Sequence, residues 1–294
     1  MFNLNNDIDL KINNLLNKKS STIHTLVLSG GGINGIVHLG ALKYLDEINI
    51  LQNITTFIGT SIGAIISGLF VIGYTIDELF EFTQNINFGD IFHINPINIL
   101  DNLGFNNGEK FTFILTKMFQ TKNISETITF KELFNLTKIN LIITTLCLSS
   151  HEVFYLSHIT FPDLPVLLAF RMTSAIPILF TPILYNSSYY CDAGVIDNFP
   201  ISYCHDLSNV IGISLCTNIS THSIDTLLDL TKNLFYSIFK KLHTSIKLNN
   251  IFYITISNIS SISFNLSLSE KNSLFNLGYK YIKTTALLNN NKIV

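Results

Sequence analysis

The pentapeptide Gly59-Thr60-Ser61-Ile62-Gly63 follows a short β-type run at 54–58 and precedes an apolar run of helical character. Gly-x-Ser-x-Gly at a strand-to-helix turn lifts the serine hydroxyl out of a sheet, and the glycines let neighbouring backbone approach closely. The chemistry this permits is nucleophilic attack on a carbonyl. An alcohol is a poor nucleophile at neutral pH, so Ser61 needs a base and a cradle for the negative oxygen that its attack creates.

Ser29-Gly30-Gly31-Gly32-Ile33-Asn34-Gly35 supplies the material for that cradle, since it closes the apolar run 23–28 and opens a helix. Free amides at such a turn face outward and share the positive end of the helix. Gly31 and Gly32 are the candidate oxyanion donors, with Gly30, Asn34 and Gly35 supporting their loop and Gly59 and Gly63 supporting the nucleophile turn. One donor of this kind stabilises a transition state by roughly 3 kcal/mol. Gly30, Gly32 and Gly35 also spell the G-x-G-x-x-G of dinucleotide sites. The next strand, however, ends in Gly59-Thr60-Ser61, where an acid would be needed to hold a ribose, and a P-loop's Lys-Ser/Thr ending is missing.

The candidate base is Asp192, in Cys191-Asp192-Ala193-Gly194-Val195-Ile196-Asp197-Asn198-Phe199-Pro200. A carboxylate among small residues can be held tightly without crowding a substrate, and partial desolvation strengthens it as a proton acceptor. Asp197 is its nearest rival and reads as a turn residue bonded to local backbone. His205 and His222 preserve a Ser–Asp–His order, which leaves a triad as an alternative, although both stand beside acids or small polar residues typical of a surface. His24 and His38 read as structural, and His151 and His158 are too far apart for a metal pair. No metal and no cofactor is expected.

The elements that must position these groups follow from the apolar patterning. Strands are expected at 23–28, 54–58, 141–146, 152–156, 210–215 and 252–256, and helices at 35–47, from Ser61 to about 72, at 164–172, at 224–243 and after Ser269. Two consecutive strand–glycine turn–helix units predict a parallel sheet covered by helices. Residues 75–138 read as helix or loop, with Thr75-Ile76-Asp77-Glu78 as a capped helix start. Residues 1–20 form an arm or short helix and 21–294 a single catalytic domain.

Composition narrows the class. Of 294 residues, 47% are hydrophobic and 13% charged, which excludes a disordered chain, and the 18 basic against 20 acidic side chains form no stripe for a nucleic-acid backbone. Cys147, Cys191, Cys204 and Cys216 lack zinc-module spacing and read as small buried residues of a reducing compartment. The polar start Met1-Phe2-Asn3-Leu4-Asn5 has no secretory pattern. The apolar stretch 54–73 contains Thr60, Ser61 and three glycines, which fit a strand, turn and helix better than a membrane span. The expected location is intracellular: cytoplasmic or peripheral to a membrane. The segment 235–242, with aromatic and aliphatic residues beside Lys240 and Lys241, fits a helix covering the sheet or one meeting an anionic interface.

Taken together, these motifs resemble the patatin-like phospholipases, serine–aspartate lipid acyl hydrolases. The resemblance rests on Gly30 to Gly35, Gly59-Thr60-Ser61-Ile62-Gly63, Ala175-Ile176-Pro177, Asp192-Ala193-Gly194 with Asn198-Phe199-Pro200, and a closing Phe264-Asn265-Leu266-Ser267 with Gly278-Tyr279, and it spans about 23–285. It implies an α/β fold, a three-layer α/β/α sandwich with a mostly parallel central sheet. It also implies a Ser61–Asp192 dyad that needs neither histidine nor calcium. The substrate it implies is a phospholipid or other fatty-acyl ester, cleaved by phospholipase A-type hydrolysis through an acyl-serine. Acyl transfer or general esterase activity on the same site is the alternative within enzymes, and a degenerate lipid-binding protein the alternative outside them. Two positions depart from the family pattern: Asn34 replaces the usual arginine, and Ala193 the usual glycine.

Overall fold

The computed structural model describes residues 23–91, 103–218, 248–257 and 265–290, with a few isolated positions between 224 and 259. The expected arm at 1–20 and most of the expected helix at 224–243, including most of 235–242, lie outside the described residues.

The sheet has eight strands. Thr25–Leu28 (β1), Thr56–Thr60 (β2), Asn140–Cys147 (β4), Val210–Asn218 (β9) and Ile251–Ser257 (β10) run parallel in the order β10-β9-β1-β2-β4. Glu152–Leu156 (β5), Ile183–Tyr185 (β7) and Ser188–Asp192 (β8) add an antiparallel flank, while Gly104–Asn106 (β3) and Ile178–Phe180 (β6) pair separately. This is the expected α/β architecture, with a mostly parallel sheet and helices on both sides. β5 meets the expected strand at 152–156, whereas β7, β8 and the β3–β6 pair were not anticipated.

Alternation along the strands divides the core. Leu26, Leu28, Phe57, Leu141, Ile143 and Ile213 face one cluster, and Val27, Ile58, Ile142 and Val210 face the other. The first is covered by Gly35–Glu47 (α1), Ile62–Val71 (α2) and Val166–Ser174 (α7). Phe199 and Ile201, the latter in a 3₁₀ turn, pack on the second. A strand buried on both faces has no room for polar alternation, which is why β1 and β4 read as continuous apolar runs.

Ile76–Asn85 (α3), Phe88–Ile91 (α4), Glu109–Thr121 (α5) and Phe130–Thr137 (α6) fill the excursion between β2 and β4. Thr75 and Thr129 each close a reciprocal capping box, with Glu78 and Glu132 respectively; losing either cap would cost about 1 kcal/mol. Leu268–Asn290 (α8) crosses α1 with backbone against backbone: a Cβ on Gly278 would lie 2.0 Å from the Val37 carbonyl oxygen. No described helix is long and apolar enough to cross a membrane; the tempting stretch 54–73 is β2, a turn and α2.

Candidate active site

Ser61 is the hinge between β2 and α2, at φ 54° and ψ −127°. A non-glycine residue in that region stores on the order of 1–3 kcal/mol of strain, so surrounding contacts must hold it there. Two do so. The Ser61 amide donates to Thr173 Oγ1 at 2.8 Å. Gly63 lets α2 press onto β1, since a Cβ there would meet the carbonyl oxygens of Ser29 and Leu28 at 2.5 and 2.6 Å. Gly59 serves the same packing from the strand side, where a Cβ would lie 2.5 Å from the Ala64 nitrogen.

Asp192 reaches Ser61 through strand pairing. β5 occupies one edge of β4, and the other edge is shared: β2 pairs with it as far as Thr60↔Thr144, and β8 takes over from the opposite direction at Asp192↔Thr145. The C-terminal ends of β2 and β8 therefore meet head to head. Thr144 and Thr145 fasten the joint, the first by hydroxyl contact with Thr60 and a 3.1 Å bond to the Gly59 carbonyl, the second by a 2.8 Å bond to the Cys191 carbonyl.

The Asp192 carboxyl is buried, and desolvation raises its pKa from 3.8 to about 6, opposed by hydrogen bonding from the Ser61 hydroxyl and the Gly194 amide. That amide donates to Oδ1 at 2.7 Å. Ala193 is not among the residues with positive φ, so its methyl sits without backbone strain.

The glycine loop lies against Ser61. A Cβ on Gly30 would stand 3.2 Å from Ser61 Cβ and 2.4 Å from Asn198 Oδ1, and the Gly30 amide donates to the Asn198 carbonyl at 2.9 Å. Gly31 is extended and Gly32 left-handed at φ 54°. Among the described residues the amides of Gly31 and Gly32 have no hydrogen-bond acceptor. Gly35 packs directly on Ile62. Asn34 is fully buried, with Nδ2 reaching the Ile259 carbonyl at 3.4 Å.

His38 steadies the loop from below: Nε2 donates to the Ser29 carbonyl at 2.8 Å, and burial lowers its pKa to about 4, so it stays neutral. Neither His38 nor His205 accompanies Ser61 and Asp192. His205 is exposed in the loop before β9, and His222 lies outside the described residues. Asp197 departs from its expected local role, because its carboxylate accepts a 2.7 Å bond from Tyr155 on β5. Its carbonyl, in turn, accepts from Thr60 Oγ1 at 3.0 Å. Among the described residues no three His, Cys, Asp or Glu side chains cluster as metal ligands would.

An apolar cavity of about 120 Å³ opens at Ser61 and Gly32, walled by α2, α5 and the start of α1. Apart from Ser61, Thr83 and Ser174, its wall is glycine, aliphatic, methionine or aromatic, with Ile65, Leu69, Leu115 and Met118 along its length.

The patatin-like phospholipase model matches residues 26–205, which run from β1 through the Asp192 loop. The chain belongs to the patatin-like phospholipase family. It is 33% identical over 262 residues to the probable lipid hydrolase 463L of Invertebrate iridescent virus 6, covering 86% of each chain. It is 29% identical over 283 residues to the uncharacterized protein R571 of Acanthamoeba polyphaga mimivirus, covering 90% of this chain and 93% of the relative. Among solved structures, VipD from Legionella pneumophila superposes with a TM-score of 0.62 at 18% identity, over 90% of this chain and 67% of that one. The last likeness establishes the fold alone.

Sequence reasoning missed Thr173 and Tyr155 as supports of the site, while His38, read as structural, holds the Ser29 carbonyl. Thr173 stands two residues before Ala175-Ile176-Pro177, but nothing local marks its hydroxyl as the acceptor for an amide 112 positions away.

Proposed function

We propose that this patatin-like protein is a lipid acyl hydrolase of phospholipase A type, working through a Ser61–Asp192 dyad and an acyl-serine intermediate. The observation that carries this reading is the meeting of a strained serine, a buried carboxylate and an apolar cavity at one point. The family membership and the relative named as a probable lipid hydrolase support the same substrate class.

In the reaction, Asp192 accepts the Ser61 proton as Oγ attacks the ester carbonyl carbon. The amides of Gly31 and Gly32 receive the oxyanion; they are preorganised by the loop, so stabilising the new charge requires little reorganisation. The carbon–oxygen bond to the leaving alcohol breaks, and that alcohol takes the proton from Asp192. Water then gives a proton to Asp192 as it attacks the acyl-serine carbonyl carbon; the bond from that carbon to Ser61 Oγ breaks, Asp192 returns the proton to Oγ, and the fatty acid leaves. A carboxylate with a pKa near 6 is a stronger proton acceptor than a solvated one and is still ionised at neutral pH. The cavity takes the acyl chain at about 0.8 kcal/mol per buried methylene. Such a substrate brings the chain to a membrane surface as a peripheral protein.

The test is intact-mass analysis with a serine-reactive long-chain phosphonate, followed by peptide mapping. A single adduct on Ser61, absent from Ser61→Ala and accompanied by fatty-acid release from phospholipid in the unmodified protein, is the expected result. Equal hydrolysis by Ser61→Ala would overturn the mechanism.

A further inference from the structure

Four residues beside the site close a ring. Thr60, the residue before Ser61, touches the Thr144 hydroxyl, and its own hydroxyl donates to the Asp197 carbonyl at 3.0 Å. The Asp197 carboxylate accepts the 2.7 Å bond from Tyr155, and Tyr155 stands opposite Thr144 in the β4–β5 ladder. Thr60, Thr144 and Tyr155 belong to β2, β4 and β5, so the sheet fixes three members of the ring. Asp197 is the member that leaves it.

From Asp197 the chain passes at once to the oxyanion loop. The Asn198 carbonyl accepts the Gly30 amide at 2.9 Å, and Asn198 Nδ2 reaches back to the Gly30 carbonyl at 3.5 Å. Asn198 Oδ1 fills the space over two glycines, 2.4 Å from where a Cβ on Gly30 would stand and 2.9 Å from one on Gly194. The dipeptide Asp197-Asn198 thus bonds to the residue before the nucleophile on one side and to the start of the oxyanion loop on the other. Its own turn does not need the carboxylate, because the amides of Ile196 and Asp197 donate to the Ala193 carbonyl at 2.9 and 2.8 Å. That carboxylate is instead tied to a ring 42 positions away, itself held against Tyr203 with centroids 4.4 Å apart. Such a bond anchors the dipeptide to the sheet.

We propose that Asp197 is a positioning residue for acyl transfer: anchored by Tyr155, it fixes the distance between Ser61 and the amides of Gly31 and Gly32. It does not line the acyl cavity and acts through Thr60 and Gly30. What that spacing serves rests on the hydrolase reading above; the mechanical link itself does not. An oxyanion forms only as Ser61 attacks, so an ill-placed cradle weakens the transition state and leaves substrate binding as it was.

Two measurements decide it, each on the unmodified protein, Asp197→Ala, Asp197→Asn and Tyr155→Phe, at a temperature where urea unfolding shows every variant folded. The first is amide hydrogen exchange at Gly30, with the amides of α6 as a remote control. Asp197→Ala and Tyr155→Phe should speed exchange at Gly30 roughly tenfold and leave α6 unchanged. Asparagine keeps an oxygen for the Tyr155 hydroxyl, so Asp197→Asn should stay within about threefold of the unmodified rate. Unchanged exchange at Gly30, or an equal rise in both segments, overturns the link.

The second is kcat and KM on a soluble short-chain p-nitrophenyl ester, set beside inhibition by a trifluoromethyl ketone of the same acyl chain. Ser61 adds to that ketone and places an oxyanion in the cradle. Asp197→Ala and Tyr155→Phe should lower kcat and weaken the ketone by a common factor of roughly thirty to a hundred, with KM within about twofold. Combining the two substitutions should cost no more than either alone, since both cut one link. Asp197→Asn should recover most of the loss; equal losses with alanine and asparagine would trace the effect to charge and overturn the anchor. A purely structural role leaves kcat per phosphonate-titrated site unchanged, and that result, or a rise in KM alone, overturns the proposal. Should Asp197→Ala fail to fold, Tyr155→Phe decides by the same criteria. If the unmodified protein cleaves no ester and its Ser61 takes no phosphonate, the hydrolase reading fails, whereas exchange at Gly30 still decides the link.

Discussion

Replacing Asp192 with asparagine removes a charge that the fold holds at a loss, so Asp192→Asn is expected to abolish turnover and at the same time stabilise the protein. Burial raises the carboxyl pKa from 3.8 to about 6, so the folded chain binds this proton more tightly than the unfolded chain does. Stability from this group is therefore greatest below pH 4, falls as pH rises from about 4 to 6, and is fully lost above that window. The interval between 3.8 and about 6 corresponds to about 3 kcal/mol at neutral pH. Asparagine keeps an oxygen to accept the 2.7 Å bond from the Gly194 amide, so the loop is not undone by the change. The assay is urea unfolding of both proteins at pH 4 and pH 8. At pH 8 the variant should be more stable by up to about 3 kcal/mol, and at pH 4 the advantage should shrink toward zero. A variant that is less stable at pH 8, or one whose advantage is the same at both pH values, would refute the claim that Asp192 is a destabilised buried base.

The remaining predictions concern the same constellation. Because the base must be ionised, kcat/KM on a soluble ester should rise through a midpoint near pH 6 and level off above it; a flat profile from pH 4.5 to 8 would exclude Asp192 as the titrating group. Gly63→Ala places a methyl 2.5 Å from the Ser29 carbonyl oxygen and should cost about 1–3 kcal/mol in chemical denaturation, with loss of phosphonate labelling at Ser61. Tyr155→Phe deletes the 2.7 Å donor to Asp197 and should destabilise by about 1–3 kcal/mol in urea unfolding. Ile114→Trp narrows the cavity; excluding two methylenes would lower the long-chain to short-chain kcat/KM ratio roughly fifteenfold.

The parts of this fold that could be read in advance are those specified locally. Gly35–Glu47 begins and ends where the glycine turn and the apolar spacing place it, and Thr75 caps its helix with Glu78 as its sequence context predicts. The β7–β8 hairpin was hidden for an equally local reason. Its two-residue turn is Asn186-Ser187, with φ 46° and 61°, where the usual Asn-Gly signal would have announced it. Asp192 reads as the candidate base, but the strand that carries it, Ser188–Asp192, was not expected. Asp197 reads as a turn residue, and its partner Tyr155 is 42 positions away, beyond any pattern that spacing along the chain could carry.

The geometry of the site nevertheless follows from one feature of the sheet that no motif spells out. β4 is eight residues long, β2 covers five positions of its edge, and three positions remain for β8 to fill from the other side. Two strands of opposite direction that share one edge must abut at their C-terminal ends, so the residues just past those ends, Ser61 on one and Asp192 closing the other, have to converge. Lengthening β2 by a single residue would displace Asp192 and turn Ser61 into the sheet. Gly59 and Gly63 let α2 seat against β1 and β2 beside that abutment, and the threonine pair Thr144-Thr145 ties each half to the same strand. Local motifs thus name the candidate reacting groups, and it is the length of the strand between them that brings them together.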